Sequence, residues 1–195
     1  MGVTERPGEM VLSGNTQLNL SKNSYDWLGK GVYFWESNLE RALSYGTFLR
    51  DHDTRAKKAI NNPFIVGAVI DLGFCLNLAD ENALILAQQQ AHSDLASISA
   101  DVQTAMPINE PGFKGDQDLL KRYLDCAVFE TLHGLREEGQ LDPFDSVRGP
   151  FWEGDELCPS TLFRQKAHIQ LCVRNPRRIK GYFRPLGEDG RPLQP

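Results

Sequence analysis

The chain has 195 residues, a net charge of −5, 41% hydrophobic and 24% charged residues. That balance excludes a disordered or collagen-like polypeptide. The length suits one domain with a full core, expected over residues 1–185, with the Gly/Pro-rich 186–195 as a loose tail. No run of about 18 apolar residues occurs and no apolar signal core follows a basic start, so no membrane span and a cytoplasmic setting are expected. Cys75, Cys126, Cys158 and Cys172 are far apart and read as reduced structural thiols. The four histidines lack H-x-x-x-H spacing, so no metal site is expected.

A helix is predicted from Thr4 to Gly14, then a turn-rich loop from Asn15 to Trp27. Gly31 to Trp35 is a short β-branched and aromatic strand. Asn38 caps a helix over 39–50, with Leu39, Ala42, Leu43 and Phe48 on its buried face. The apolar run from Phe64 to Leu72 reads as a central strand covered on both faces. Leu78 to Ser99 is helical in character, and Met106 to Gly115 is a Pro/Gly loop. Asp116 opens the most periodic helix, which carries Leu120, Leu124, Val128 and Leu132 and closes at Gly139.

Strands follow over 145–152, 166–174 and 179–183. Strands and helices do not alternate strictly, so the expected class is α+β: a split mixed or antiparallel sheet core with flanking helices. In the strand over 166–174, alternation puts Ile169, Leu171 and Val173 on an inward face. His168, Gln170 and Cys172 then share the other face, which is free to line a cleft.

The segment Tyr25-Asp26-Trp27-Leu28-Gly29-Lys30-Gly31-Val32-Tyr33-Phe34-Trp35-Glu36 stands out. Two glycines before an aromatic strand let the backbone approach a flat ligand. Tyr33 on that strand and Tyr45 on the next helix could sandwich an aromatic ring, or all these aromatics could be core. Glu130 is either a buried anchor or a boundary residue. Arg174, Arg177, Arg178 and Lys180 form a basic cluster that could meet phosphate or lie in a solvated turn.

Gly29-Lys30-Gly31-Val32-Tyr33-Phe34, with Tyr45 a dozen residues on, resembles the NAD-binding signature of ADP-ribosyltransferases of the diphtheria-toxin and poly(ADP-ribose)-polymerase type. The resemblance implies that fold, NAD as substrate and a mono-ADP-ribosyltransferase activity toward a protein or nucleic-acid acceptor. It implies that Tyr33 and Tyr45 clamp the nicotinamide and that the Gly29–Gly31 backbone bonds its amide. Gln170 would stand where the family has its ribose-binding glutamate, and His168 would orient or deprotonate the acceptor. Small members of this kind are often bacterial toxins with a neutralising partner protein.

Three departures accompany the likeness. The family's His-Gly strand is not present ahead of the first helix, and the chain begins about where that strand should finish. Ala42 stands where polymerase-type members have a serine. Gln170 is not a carboxylate. Cleavage of the nicotinamide–ribose bond builds positive charge on the sugar, as in glycoside hydrolysis. A carboxylate ~4 Å away at an effective dielectric of ~20 contributes up to ~4 kcal/mol, or roughly a thousandfold in rate. Glu153, Asp155 and Glu156 could supply that charge, or could form a solvated turn. A catalytically degenerate NAD- or ADP-ribose-binding module and a structural interaction protein are the alternatives. NAD binding requires Tyr33 to face a cleft, whereas a structural role buries it.

Overall fold

The computed structural model describes residues 2–52, 62–112, 117–187 and 190–191. The segment that leads to the glycine motif comprises β1 (Gly2–Thr4), α1 (Glu5–Leu12) and a loop, and β2 (Val32–Trp35) carries the motif's aromatic half. Asn38 begins α2 (Leu39–His52) by accepting the Arg41 N–H at 2.9 Å through its side-chain oxygen, as its sequence position predicts. Then come β3 (Pro63–Ile65), β4 (Gly67–Ile70), β5 (Cys75–Asn77) and α3 (Glu81–Ile85). A π-helical segment, Leu86–His92, joins α3 to α4 (Ser93–Asp101), and α5 (Tyr123–Glu138) follows. The last strands are β6 (Ser146–Phe151), β7 (His168–Val173) and β8 (Ile179–Phe183).

The architecture is α+β. The main sheet has the order β2-β7-β6-β5, antiparallel except for the parallel β5–β6 pair, and β1-β3 and β4-β8 form separate two-stranded ladders. On one face of the main sheet, Leu28, Leu76, Val147 and Cys172 pack with Ala91 of the π segment and with Val128, Phe129 and Leu132 of α5. On the other, Val32, Phe34, Leu171 and Val173 pack with Val11, Phe64 and Val66. Strand β7 is therefore covered on both sides. This corrects the expectation that the Gln170 and His168 face is open: Cys172 is fully buried and His168 is 7% exposed.

Other expectations shift as well. Phe64 to Leu72 is not one central strand but β3 and β4, which belong to different ladders, and Val69 is solvent-exposed. An apolar run shows burial but not its strand partner, and here the chain changes ladders at Val66. Helix α5 starts at Tyr123, because Lys121 makes a bridge to Glu110 and the Asn109 side-chain oxygen receives the Leu124 N–H at 2.9 Å. Asp116 and most of the tail lie outside the described residues. Strand β1 precedes the expected first helix and has no signal in the sequence, since three residues carry no periodicity. All four cysteines are unpaired.

Candidate functional site

Strands β2 and β7 pair with Tyr33 opposite Cys172 and Trp35 opposite Gln170. On the other edge of β7, Gly149 faces Gln170 and Phe151 faces His168. Directly opposed residues in a ladder project to the same side. Tyr33, Trp35, Phe151, His168 and Gln170 thus share one face, with the aromatic rings gathered where the hydrophobic core ends.

A directed hydrogen-bond chain crosses this face. The Trp27 indole N–H donates to Gln170 Oε1 at 2.7 Å. Gln170 Nε2 lies 2.9 Å from His168 Nε2, and His168 Nδ1 lies 2.6 Å from the Lys166 carbonyl oxygen. Indole can only donate and a carbonyl can only accept. Both ends therefore fix the directions between them: Gln170 donates to a neutral His168, which donates through Nδ1–H. Burial, the largest influence, pulls the His168 pKa below its ordinary value, with Arg41 adding to the effect. One N–H and one oxygen lone pair of Gln170 lie outside this chain of bonds. His168 Nε2, in contrast, is already engaged and would lose the Gln170 bond on accepting a proton. Trp27→Phe removes the terminal donor and frees the Gln170 amide to turn. The His168 ring-nitrogen NMR shifts are expected to change from the Nδ1–H pattern toward a tautomer mixture, and an unchanged pattern would show that Trp27 does not set it.

Above the strands, the Tyr45 ring meets Trp35 with centroids 5.2 Å apart, and the Trp35 and His168 rings are 6.3 Å apart. The Arg41 guanidinium lies 5.7 Å from the Tyr45 ring and 6.0 Å from the Trp35 ring, within cation–π range. Arg41 Nη2 pairs with Glu153 Oε2 at 2.5 Å, both side chains being almost fully buried. Glu153 is thus not part of a solvated turn. Its carbonyl receives the Lys166 N–H at 3.0 Å, and the next residue, Gly154, turns at φ +87 with its N–H on Asp118 Oδ2 at 2.7 Å. A left-handed turn of this kind suits glycine, and it directs Glu153 inward.

Tyr33 points back at the turn before its own strand and not into a cleft, which corrects its expected part in the nicotinamide clamp. Its hydroxyl donates to Gly29 O at 2.7 Å and receives the Leu28 N–H at 2.9 Å, and its ring packs against the core. Burial raises its pKa far above the usual phenol range. The Gly29–Gly31 loop is equally occupied. Gly29 N–H goes to Asp26 O at 2.8 Å, Lys30 N–H to Glu130 Oε1 at 2.8 Å and Gly31 N–H to Ser21 O at 3.2 Å. The loop has no spare N–H for a nicotinamide amide, which corrects that expected role. Glu130, which also pairs with Lys30 Nζ at 2.8 Å and Arg174 at 3.2 Å, is a half-buried anchor. The basic cluster is largely neutralised: Arg178 binds Asp71 and Asp145, and Lys180 lies near Asp71.

A groove of about 540 Å³ lies between β2, β4 and β8, on the side of Phe34 and Leu171. Trp35 and Ala42 line it, but Tyr33, Tyr45, His168 and Gln170 do not. The sequence could not show that Arg41 and Trp27 belong to the site, because each reaches its partner across more than a hundred residues. Among the described residues, no group of three or more His, Cys, Asp and Glu side chains is arranged to hold a metal, and no helix is long and apolar enough to cross a membrane. No protein-family model, curated protein or solved structure matches this chain.

Proposed function

We propose that the chain is an NAD-dependent mono-ADP-ribosyltransferase, acting on a protein or nucleic-acid acceptor. The main support is the register that sets Tyr33 and Trp35 of the Gly-Lys-Gly-Val-Tyr-Phe strand beside Cys172 and Gln170 of the His-Ile-Gln strand. The two segments that carry the family resemblance are 143 residues apart between Trp27 and Gln170, yet they meet on one sheet face. Tyr45 supports the same reading, since its ring packs at a tilt against Trp35 while remaining 37% exposed. Tyr33, turned into the Gly29 loop, does not face a cleft, so the aromatic surface proposed for the nicotinamide is Trp35 with Tyr45, whose rings touch and would take it on their outer side, not between them. Aromatic rings of this kind hold a nicotinamide by stacking, worth ~0.5–1.5 kcal/mol for each pair beyond the area buried. The resemblance also proposes a cytoplasmic, toxin-type role with a neutralising partner protein.

A second reading, an NAD- or ADP-ribose-binding module without turnover, is favoured by the engaged Gly29–Gly31 backbone and by Gln170 in place of a carboxylate. NAD titration followed by tryptophan fluorescence, together with chromatographic detection of nicotinamide, separates the two. Quenching and slow nicotinamide release are expected, with Tyr45→Ala weakening binding at least tenfold. Binding without release selects the module, and absence of NAD binding overturns both readings.

A further inference from the structure

We propose that the outer edge of β2 is a docking site for an extended peptide, which adds to the four-stranded main sheet and inserts one apolar side chain into the groove beside Phe34. Strand β2 ends its sheet and pairs with β7 on one side alone. The Glu36 N–H reaches Ile169 O at 3.0 Å, so Phe34 and Val32, two and four residues earlier, also turn their main-chain groups toward β7. The residues between them face outward. Gly31 shows this directly, since it exchanges both of its bonds with Ser21, donating at 3.2 Å and accepting at 2.7 Å. Before that bridge, residues 17–20 form no ladder, and Leu18 is buried with Val32 and Phe34 in the core. Tyr33 and Trp35 therefore present N–H and C=O groups that no strand among the described residues pairs.

Natural edge strands are commonly blunted by shortness, a bulge, a proline or a charge. At the other end of the sheet, β5 has only three residues. Strand β2 has no such protection: Val-Tyr-Phe-Trp is uncharged, regular in its pairing and made of strong strand formers. The groove of about 540 Å³ runs along the same strand. Phe34 and Trp35 both line it, although consecutive strand residues project to opposite faces, so the groove reaches round the edge of the strand at Trp35. A residue added opposite Phe34 projects to the side of Phe34. There Val66, Ala68, Ile70 and Leu171 offer it apolar walls. Main-chain bonds to the edge supply affinity, and the groove selects the side chain.

Charge at the two ends of the edge sets the partner's chemistry. The exposed Lys22 adjoins the Ser21 bridge at one end, while Glu36 lines the groove at the other and the exposed Glu40 follows in the first turn of α2. The Ser21–Gly31 bridge is antiparallel, and a peptide continuing in that sense begins beside Glu36 and ends toward Lys22. The partner is thus an extended segment with a basic residue, then a leucine-like residue for the groove, then an acidic residue.

The probe is the peptide acetyl-Thr-Lys-Thr-Leu-Thr-Glu-amide, added to the full chain and followed by NMR. In the free protein the Tyr33 and Trp35 amides are expected to exchange with solvent at least tenfold faster than the Phe34 amide, and saturating probe should slow them at least tenfold. Replacing the probe's leucine by alanine should weaken binding about tenfold, from the apolar area removed. N-methylation of the two threonines that flank the leucine should abolish binding, because it removes the donors that face Tyr33 and Trp35. Open amides that millimolar probe does not slow would overturn the proposal. So would amides as protected as that of Phe34 in the free protein: protection that persists on dilution means the chain covers its own edge, and protection lost on dilution assigns the edge to a second copy. Binding that survives N-methylation overturns it too, since the groove would then take its ligand without an added strand.

Discussion

Gly31→Ala is expected to lower the melting temperature by about 6–12 °C, corresponding to about 3 kcal/mol for a chain of this size. A Cβ on Gly31 would lie 2.5 Å from Cys172 Sγ and 2.8 Å from the Val173 carbonyl oxygen. The first contact could be relieved by shortening the side chain, but the second is with the backbone of the neighbouring strand. Adding Cys172→Ala should therefore restore only part of the loss. Gly31 also exchanges hydrogen bonds with Ser21, N–H to O at 3.2 Å in one direction and 2.7 Å in the other, so the clash would spread into the preceding loop. Thermal unfolding of the single and double variants checks this. A single variant that melts with the parent chain would mean that the two strands separate at little cost.

Acid sensitivity provides the second large effect. His133, buried in α5 beside Phe144, has its pKa pushed down to about 3, mainly by burial, with Arg174 and Arg136 adding and Glu130 opposing. The unfolded chain takes up this proton near pH 6.5, whereas the folded chain stays neutral until about pH 3. Stability is therefore present above pH 6.5 and is lost as pH falls from there toward 3. The expected loss between pH 7 and pH 5 is about 2 kcal/mol from this group, and His168, whose pKa is lowered too, acts in the same direction. His133→Leu keeps the apolar contacts and removes the titration. Denaturant midpoints for this variant should depend less on pH over that interval, and an undiminished pH dependence would assign the effect to other groups.

The sequence displayed those elements whose signal is local. Helix α2 starts at its Asn38 cap, and β6, β7 and β8 fall within the strands expected for them, because capping and alternation act over a few residues. The α+β class follows from their order. What stayed hidden depends on distant partners. Glu153 sits among turn-forming residues, and its burial is decided by Arg41, 112 positions earlier. Alternation along β7 separated its two side-chain sets correctly, but it could not reveal that Trp27 folds over the polar one. Likewise, glycines that suggest an open ligand cradle are used here for close packing of strands, which only the β2–β7 register discloses.

The same register bears on when the site comes into being during synthesis. Trp27 waits for a partner 143 residues downstream. At roughly 5–20 residues per second, the ribosome needs roughly 7–30 s to reach Gln170 after Trp27 has been added. Over that interval β2 has no β7 to pair with, and His168 and Gln170 do not yet exist. The nascent chain is thus without its assembled candidate site until residue 170 has been added, and a ribosome stalled before residue 168 leaves a polypeptide that carries the glycine motif but neither His168 nor Gln170.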